Sequence, residues 1–521
     1  MICSLLLLLA LPANSAPDVA VVCPMPFRAE LAPWVEHRTK QGRVITWVDS
    51  QGSAADIHTR LADIAKKGSL RFVVLVGDVP GASPAGVPVS SNTVSTHFVP
   101  AKVNIRWGSE PEIASDHSYS DFDGDQLPDV AIGRLPADSA ADVRMLVRKI
   151  LAYERSVDYG QWRRRINFVA GVGGFGAMAD AVIESAAKRL ITECVPAGYS
   201  TSMTYGSWRS PYCPDPREFR DATLNTLNQG SLFWIYIGHG HRRTVDAVRV
   251  PGGAFPIFTH LDIPSLQCRS GAPIACFLAC SAGEFDHAED CLAEEMLRAP
   301  AGPIAVYAGS RTTMPYAMAV MGLGMLETCF GATPAQTLGE AVLETKRTMM
   351  ATDNLAPNRK ALDSIAKFVS PAPANLEAER LEHLYLFNLL GDPLLRLPQP
   401  HRLELVGPLK AKAGETITIK GLCDIGGIAT VELIVRRDRL TFKPQIRSKF
   451  EPTNLFLSHL NETYQKANNP CIHVVKVPLA KDGRFQCSFS VPGEISGPCH
   501  VRAFVEGGNA CALGHCDLEL N

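Results

Sequence analysis

The chain has 521 residues, with 51 Lys and Arg against 53 Asp and Glu and a formal net charge of -2. Hydrophobic residues are 46% and charged residues 20%, which is globular composition and excludes a largely disordered or collagen-like chain. The near balance of charge excludes bulk attraction to polyanions, and the densest basic run, Arg163-Arg164-Arg165, is expected to be a solvated strand edge rather than a phosphate site, so no nucleic-acid partner is expected.

Residues Leu5 to Leu9 form a leucine run followed by Ala10, Leu11 and Pro12. A membrane span needs about 20 apolar residues, so this run is too short to anchor the chain, and no other stretch is long enough. With the small residues Ala13-Asn14-Ser15-Ala16 after it, the pattern predicts a cleaved signal peptide over residues 1–16 and a secreted, cell-surface or periplasmic location. Of the 15 cysteines, Cys3 would then leave with the signal. Cys423, Cys471, Cys487, Cys499, Cys511 and Cys516 cluster near the carboxyl terminus, where disulfides are expected in an oxidising compartment. No CxxC pair occurs, so a zinc ribbon is not indicated.

From Pro17 to Pro398, continuous apolar runs alternate with helical patterns. Strands are predicted at Val19–Val22, Arg43–Val48, Leu70–Val76, Ile166–Ala170, Ser231–Ile237, Pro273–Ala279 and Pro303–Ala308. Runs without polar alternation fit parallel strands covered on both faces. The clearest helix begins at the capping box Ser139-Ala140-Ala141-Asp142, with Val143, Leu146, Val147, Ile150 and Leu151 on one stripe. Further helices are expected at Met178–Ile191 and Asp290–Arg298. The pattern predicts an α/β fold of parallel sheets with flanking helices in two subdomains, residues 17–158 and 159–400. After Pro398-Gln399-Pro400 the period becomes two, as in Thr416-Ile417-Thr418-Ile419 and Phe485-Gln486-Cys487-Ser488-Phe489. Residues 401–521 therefore read as a β-sandwich, interrupted by a helical insert near Asn454 to Lys466.

Two predicted strands end on reactive residues. Ser231–Ile237 runs into Gly238-His239-Gly240-His241, and Pro273–Ala279 runs into Cys280-Ser281-Ala282-Gly283. Ligands of open α/β sheets bind beyond the carboxyl ends of the strands, so neighbouring strands would open His239 and Cys280 onto one edge. An imidazole beside a thiol raises its thiolate fraction. The main-chain N–H groups of Gly240 and Cys280 could converge as an oxyanion hole. His241 and Cys276 are the rival choices, Cys276 being expected to pack in mid-strand.

These residues carry a resemblance. Ile237-Gly238-His239-Gly240, followed by Leu278-Ala279-Cys280-Ser281-Ala282-Gly283-Glu284-Phe285, resembles the catalytic pair of the gingipain-type cysteine peptidases (peptidase family C25), in the clan of caspases and legumains. Tyr119 to Arg134, Cys291-Leu292-Ala293-Glu294-Glu295 and Leu389-Leu390-Gly391-Asp392-Pro393 extend it over about Pro17 to Pro400. The resemblance implies a caspase-like fold, an immunoglobulin-like domain after it, and a secreted cysteine endopeptidase acting on protein or peptide substrates. Cys280 would be the nucleophile, His239 the acid/base, and Gly240 and Cys280 the oxyanion donors, with no cofactor required for chemistry. One departure stands out. The family's acidic residue that orients the histidine belongs in a turn that here reads Gly171-Val172-Gly173-Gly174, leaving Asp180 or Glu184 as stand-ins or a Cys-His dyad.

The run Asp121-x-Asp123-Gly124-Asp125-x-x-x-Asp129 is a candidate calcium site, since Ca²⁺ takes about six to eight oxygens. It lacks the closing Glu of an EF-hand, with Ile132 at that position. The same resemblance implies that the segment Ser310 to Tyr316 walls the pocket for the residue before the scissile bond, with Arg311 expected to point to solvent. Two further readings accompany the peptidase: a noncatalytic cell-surface binding protein, and a sortase-like transpeptidase.

Overall fold

A computed structural model describes residues 16–79, 92–172, 187–188, 191–268, 270–353, 355–370, 372–493 and 495–521. The expected signal peptide except Ala16, nearly all of the expected helix at Met178–Ile191, and with it Asp180 and Glu184, lie outside the described residues.

One ten-stranded sheet runs through the first 400 residues. In chain order its strands are β1 (Val19–Val22), β2 (Ile45–Val48), β3 (Phe72–Val76), β4 (Ala131–Leu135), β5 (Arg165–Ala170), β6 (Ser200–Tyr205), β7 (Phe233–Ile237), β8 (Ile274–Leu278), β9 (Ala305–Gly309) and β10 (Phe387–Leu390). Their spatial order is β2-β1-β3-β4-β10-β9-β8-β7-β5-β6. Every pairing is parallel except β9 with β10. The two expected halves are thus welded edge to edge by β10, a late strand that returns to lie beside β4. The sheet has no break between them.

The continuous apolar runs have the expected cause. In β1, Val19 and Val21 face one core while Ala20 and Val22 face another, so successive side chains are buried on opposite sides. The seven predicted strands are all present, with every end within two residues of the expected one. Three strands of this sheet have no counterpart among the predicted ones. β6 reads Ser-Thr-Ser-Met-Thr-Tyr because it is the sheet's edge and needs no second apolar face. β4 is broken in the middle of its apolar run by Gly133 and Arg134, and β10 has four residues that follow directly on a helix ending at Leu386. The helix Ala140–Glu154 begins at the predicted capping box and buries all five predicted stripe residues.

Residues after 400 form a six-stranded and a three-stranded sheet that share one apolar core. Their inward residues alternate as predicted: Ile417 and Ile419 from one sheet meet Val431, Leu433, Val501 and Ala503 from the other. The insert forms a helix at Asn454–Ala467. It covers the polar edge strand β6: Asn468 at its end accepts from Met203 N–H (2.7 Å) and donates to Met203 C=O (2.9 Å). An open strand edge is thereby satisfied.

Two sequence expectations are overturned. Arg163, Arg164 and Arg165 are not a solvated edge. Arg164 is buried and pairs with Glu432 of the sandwich (2.9 Å), Arg165 donates to Gln229 and Gly230 carbonyls, and Arg163 stacks over Tyr159 and Trp162. The six carboxyl-terminal cysteines are unbridged, as are the other eight described ones. Cys423, Cys487, Cys499 and Cys511 are buried as small apolar side chains instead.

Candidate active site

β7 and β8 are adjacent parallel strands, with Ile237 opposite Leu278. His239 and Cys280 each follow two residues later, so both turns leave the same edge of the sheet at the same level. Gly238 N–H donates to Leu278 C=O at 3.2 Å. The contact between the turns is close enough to exclude a side chain: a β-carbon on Gly240 would lie 2.5 Å from the Cys280 carbonyl oxygen and 3.4 Å from its nitrogen. Gly240 and His241 then pair with Val245 and Thr244 in a short antiparallel ladder. His239 and His241 are both exposed.

Past Cys280 the chain turns sharply through Ser281, whose φ of 52° is in the left-handed region. The turn is held against β9 and its exit by Ser281 N–H to Arg311 C=O (3.0 Å) and Gly283 N–H to Gly309 C=O (2.9 Å). No acceptor for the Cys280 N–H is present among the described residues. The Cys280 thiol is half-buried, and it meets Thr313 three times, donating to the Thr313 C=O at 3.8 Å. Thr313 N–H donates to Sγ at 3.3 Å, and Thr313 Oγ1 lies 3.5 Å from Sγ. Cys276 is buried within β8, and burial pushes its thiol up to about 12, so it stays protonated in the core.

The residues that flank the pair are tied together by charge. Leu292 N–H donates to Arg242 C=O (2.6 Å), Arg242 pairs with Glu289 (2.9 Å) and Arg243 with Glu295 (3.1 Å). These contacts hold the chain after His239 to the segment after Cys280. Arg311 does not point to solvent. It is 4% exposed, grips Asp286 through both terminal nitrogens (2.7 and 2.6 Å), and donates Nε to Glu112 C=O. Beside it, burial pushes the Glu284 carboxyl up to about 7, with Glu110 and Asp286 adding to burial against Arg311 and Arg242.

At Gly171, where an orienting acid was sought, another element supplies a carboxylate. A β-carbon on Gly171 would lie 3.0 Å from Asp246 Oδ2 and 3.2 Å from Tyr236 Oη. Asp246 and Thr313 were missed in the sequence because each reaches the site from a loop whose position follows from the fold. Only the segment Ser310 to Tyr316 had been marked, as a pocket wall.

Two acidic clusters could hold a cation. Asp121, Asp123 and Asp129 bring carboxylate oxygens within 4.8 Å of one another, but Asp125 is not among them. Their carboxylates already accept main-chain N–H groups of the same loop, including Gly124 and Gln126 on Asp121 and Phe122 on Asp129. The second cluster was not read from sequence: Asp78 beyond β3, with Asp290 and Glu294 beside the helix Leu292–Arg298. Glu294 is 1% exposed, and its Oε1 has no hydrogen-bond partner among the described residues. Burial and the neighbouring Asp78 push the Glu294 carboxyl well above the usual range, and burial pushes Asp78 up to about 6. One buried and two half-buried carboxylates could hold a hard divalent cation here, although Asp290 also pairs with Arg298 and Asp78 shares a hydrogen bond with Glu294.

Comparison with known proteins identifies the family and the fold. The model of the family described as Peptidase family C25 matches residues 12–398. Lys-gingipain of Porphyromonas gingivalis is 22% identical over 302 residues, which is 57% of this chain and 16% of that protein. Gingipain R2 of the same species is 26% identical over 219 residues, 41% of this chain and 27% of that protein. The chain therefore spans well under two thirds of these curated relatives. The crystal structure of gingipain R, titled an Arg-specific cysteine proteinase, superposes with a TM-score of 0.54 at 16% identity, covering 98% of this chain and 99% of that one. A complex of gingipain pro- and mature domains from the same species gives 0.52 at 17% identity. The α/β sheet followed by antiparallel sheets is the architecture of a gingipain catalytic domain with its immunoglobulin-like domain.

Proposed function

Because the chain belongs to peptidase family C25, we propose that it is a secreted cysteine endopeptidase working through Cys280 and His239. The observation that carries this reading is the contact of the two turns at Gly240 and Cys280, which brings a half-buried thiol and an exposed histidine to one sheet edge.

In the proposed reaction His239 takes the Cys280 thiol proton, and the thiolate attacks the scissile carbonyl carbon, forming a C–S bond as the C=O π pair moves to oxygen. The carbonyl oxygen, now an oxyanion, accepts from the main-chain N–H groups of Gly240 and Cys280. Collapse of the tetrahedral adduct breaks the C–N bond, and His239 protonates the departing amine. Water, deprotonated by His239, then releases the acid and restores the thiol. Thr313 N–H, already at Sγ, stabilises the thiolate before attack. A divalent cation held by Asp78, Asp290 and Glu294 would be structural, joining β3 to the segment that follows the nucleophile.

The test is labelling of the folded protein with an electrophilic peptide probe, followed by peptide mapping. Modification of Cys280, abolished by prior iodoacetamide, supports the peptidase. A folded protein whose Cys280 stays unlabelled would support the binding-protein reading. Described helices include none long and apolar enough to cross a membrane.

A further inference from the structure

We propose that Tyr236 is a positioning residue for His239, a buried strut that fixes the histidine turn through hydrogen bonds to its main chain. The proposal rests on the cysteine-peptidase reading and adds to it.

Tyr236 lies on β7, three residues before His239, and is fully buried. Its hydroxyl donates to the His239 carbonyl at 2.8 Å and accepts from Asp246 N–H at 3.2 Å. One oxygen thus ties the histidine turn to the chain seven residues later, where it leaves the Gly240–Val245 ladder. The ring is fixed from below by Trp234, stacked at 6.4 Å, and by Phe277 of β8 at 6.1 Å. The strut therefore stands on the rigid sheet, while His239 itself is exposed on a turn.

The space around the hydroxyl is made by two glycines. A β-carbon on Gly238 would lie 2.8 Å from Tyr236 Oη, and one on Gly171 would lie 3.2 Å from it. Gly238 also has a φ of 154° that side chains rarely adopt. A hydroxyl enclosed in this way has one hydrogen-bonding arrangement. Burial raises the phenol far above its ordinary pKa, so it remains a donor throughout the working pH range. An exposed histidine needs such support because a misplacement of about 1 Å at a reacting group costs about 10²-fold in rate. Among the described residues the Tyr236 hydroxyl bonds the His239 carbonyl and the Asp246 N–H alone, so its effect passes through the His239 turn.

The experiment compares wild type, Tyr236→Phe and Thr226→Val on the best-cleaved member of a fluorogenic peptide library. Rates are expressed per Cys280 labelled by the electrophilic probe, which corrects for misfolded protein. Thr226→Val is the control for stability, since it removes another buried hydrogen bond to β7, from Trp234 Nε1 at 3.0 Å. Tyr236→Phe should lower kcat by about 10- to 100-fold with KM within about two-fold, and should move the acid limb of the kcat/KM profile. Thr226→Val should leave kcat per labelled site unchanged. Wild-type kcat and pH profile in Tyr236→Phe, or a change confined to KM, overturns the strut while leaving the peptidase standing. Absence of cleavage and of labelling in the wild type overturns both.

Discussion

Gly240 lies against Cys280 so closely that its Cα–Hα occupies the only room between the two turns: a β-carbon there would sit 2.5 Å from the Cys280 oxygen and 2.9 Å from the Ala279 side chain. Main chain cannot yield as a flexible side chain does. Gly240→Ala should therefore push the histidine turn off the nucleophile, and the expected loss is about 10²-fold in kcat. Steady-state kinetics on a protein of unchanged circular dichroism checks it. Wild-type kcat in that variant would show that the contact does not set the active geometry.

Removing the thiol is the more severe change. Cys280→Ala should reduce kcat/KM by at least about 10⁴-fold, and His239→Ala by about 10²- to 10⁴-fold. Cys276→Ala, a core truncation, should retain activity at reduced stability. Hydrolysis surviving in Cys280→Ala would remove it from the mechanism.

Arg311 and Asp286 form a bidentate pair, with side chains 5% and 11% exposed. Arg311→Ala leaves Asp286 buried beside Glu284 without its counter-charge, and should cost about 3 kcal/mol of stability. Urea unfolding measures this. The double change Arg311→Met with Asp286→Leu removes both charges and should recover much of the loss. Equal stability of Arg311→Ala and wild type would mean that the pair opens to water in solution.

Glu284 gives a pH dependence with a definite sign. Its carboxyl is raised from 4.5 to about 7, chiefly by burial. Below about pH 4.5 it is neutral in folded and unfolded chains alike. As the pH rises toward 7 the unfolded chain ionises first, so this group's contribution to stability is lost across that window. Glu284→Gln should match wild type in Tm near pH 4.5 and exceed it above pH 7. A Tm difference independent of pH between these limits would contradict the shift.

Chelation tests the acidic cluster at Asp78, Asp290 and Glu294. A cation present at about 100 times its Kd adds about 2.7 kcal/mol, so EDTA should lower Tm by a few degrees and added Ca²⁺ should restore it. Glu294→Gln should remove the response, while Asp123→Asn should leave it intact. The reverse pattern would move the site to the loop of Asp121, Asp123 and Asp129.

Much of the fold was legible because it follows from local rules. The apolar runs mark strands buried on both faces, the Ser139 box starts its helix, and the change to period two marks the sandwich. The reactive ends of β7 and β8 were legible because glycines and polar residues follow apolar runs abruptly. β6 was not, since an edge strand needs no apolar face, and Arg164 was not, since its partner Glu432 is 268 residues away.

By itself, then, the sequence determined the α/β and β-sandwich classes, and it singled out Cys280 and His239. Periodicity and strand-end chemistry depend on neighbours in the chain. The tertiary structure alone decided that the fourteen described cysteines are unbridged and which of them are buried, that Arg311 is held by Asp286, that Thr313 meets Cys280, and that Tyr236 ties His239 to Asp246. Those relationships depend on the order of strands in the sheet, above all on β10 crossing back to join its two halves. No local pattern encodes that order, because it is selected by the packing of the whole core.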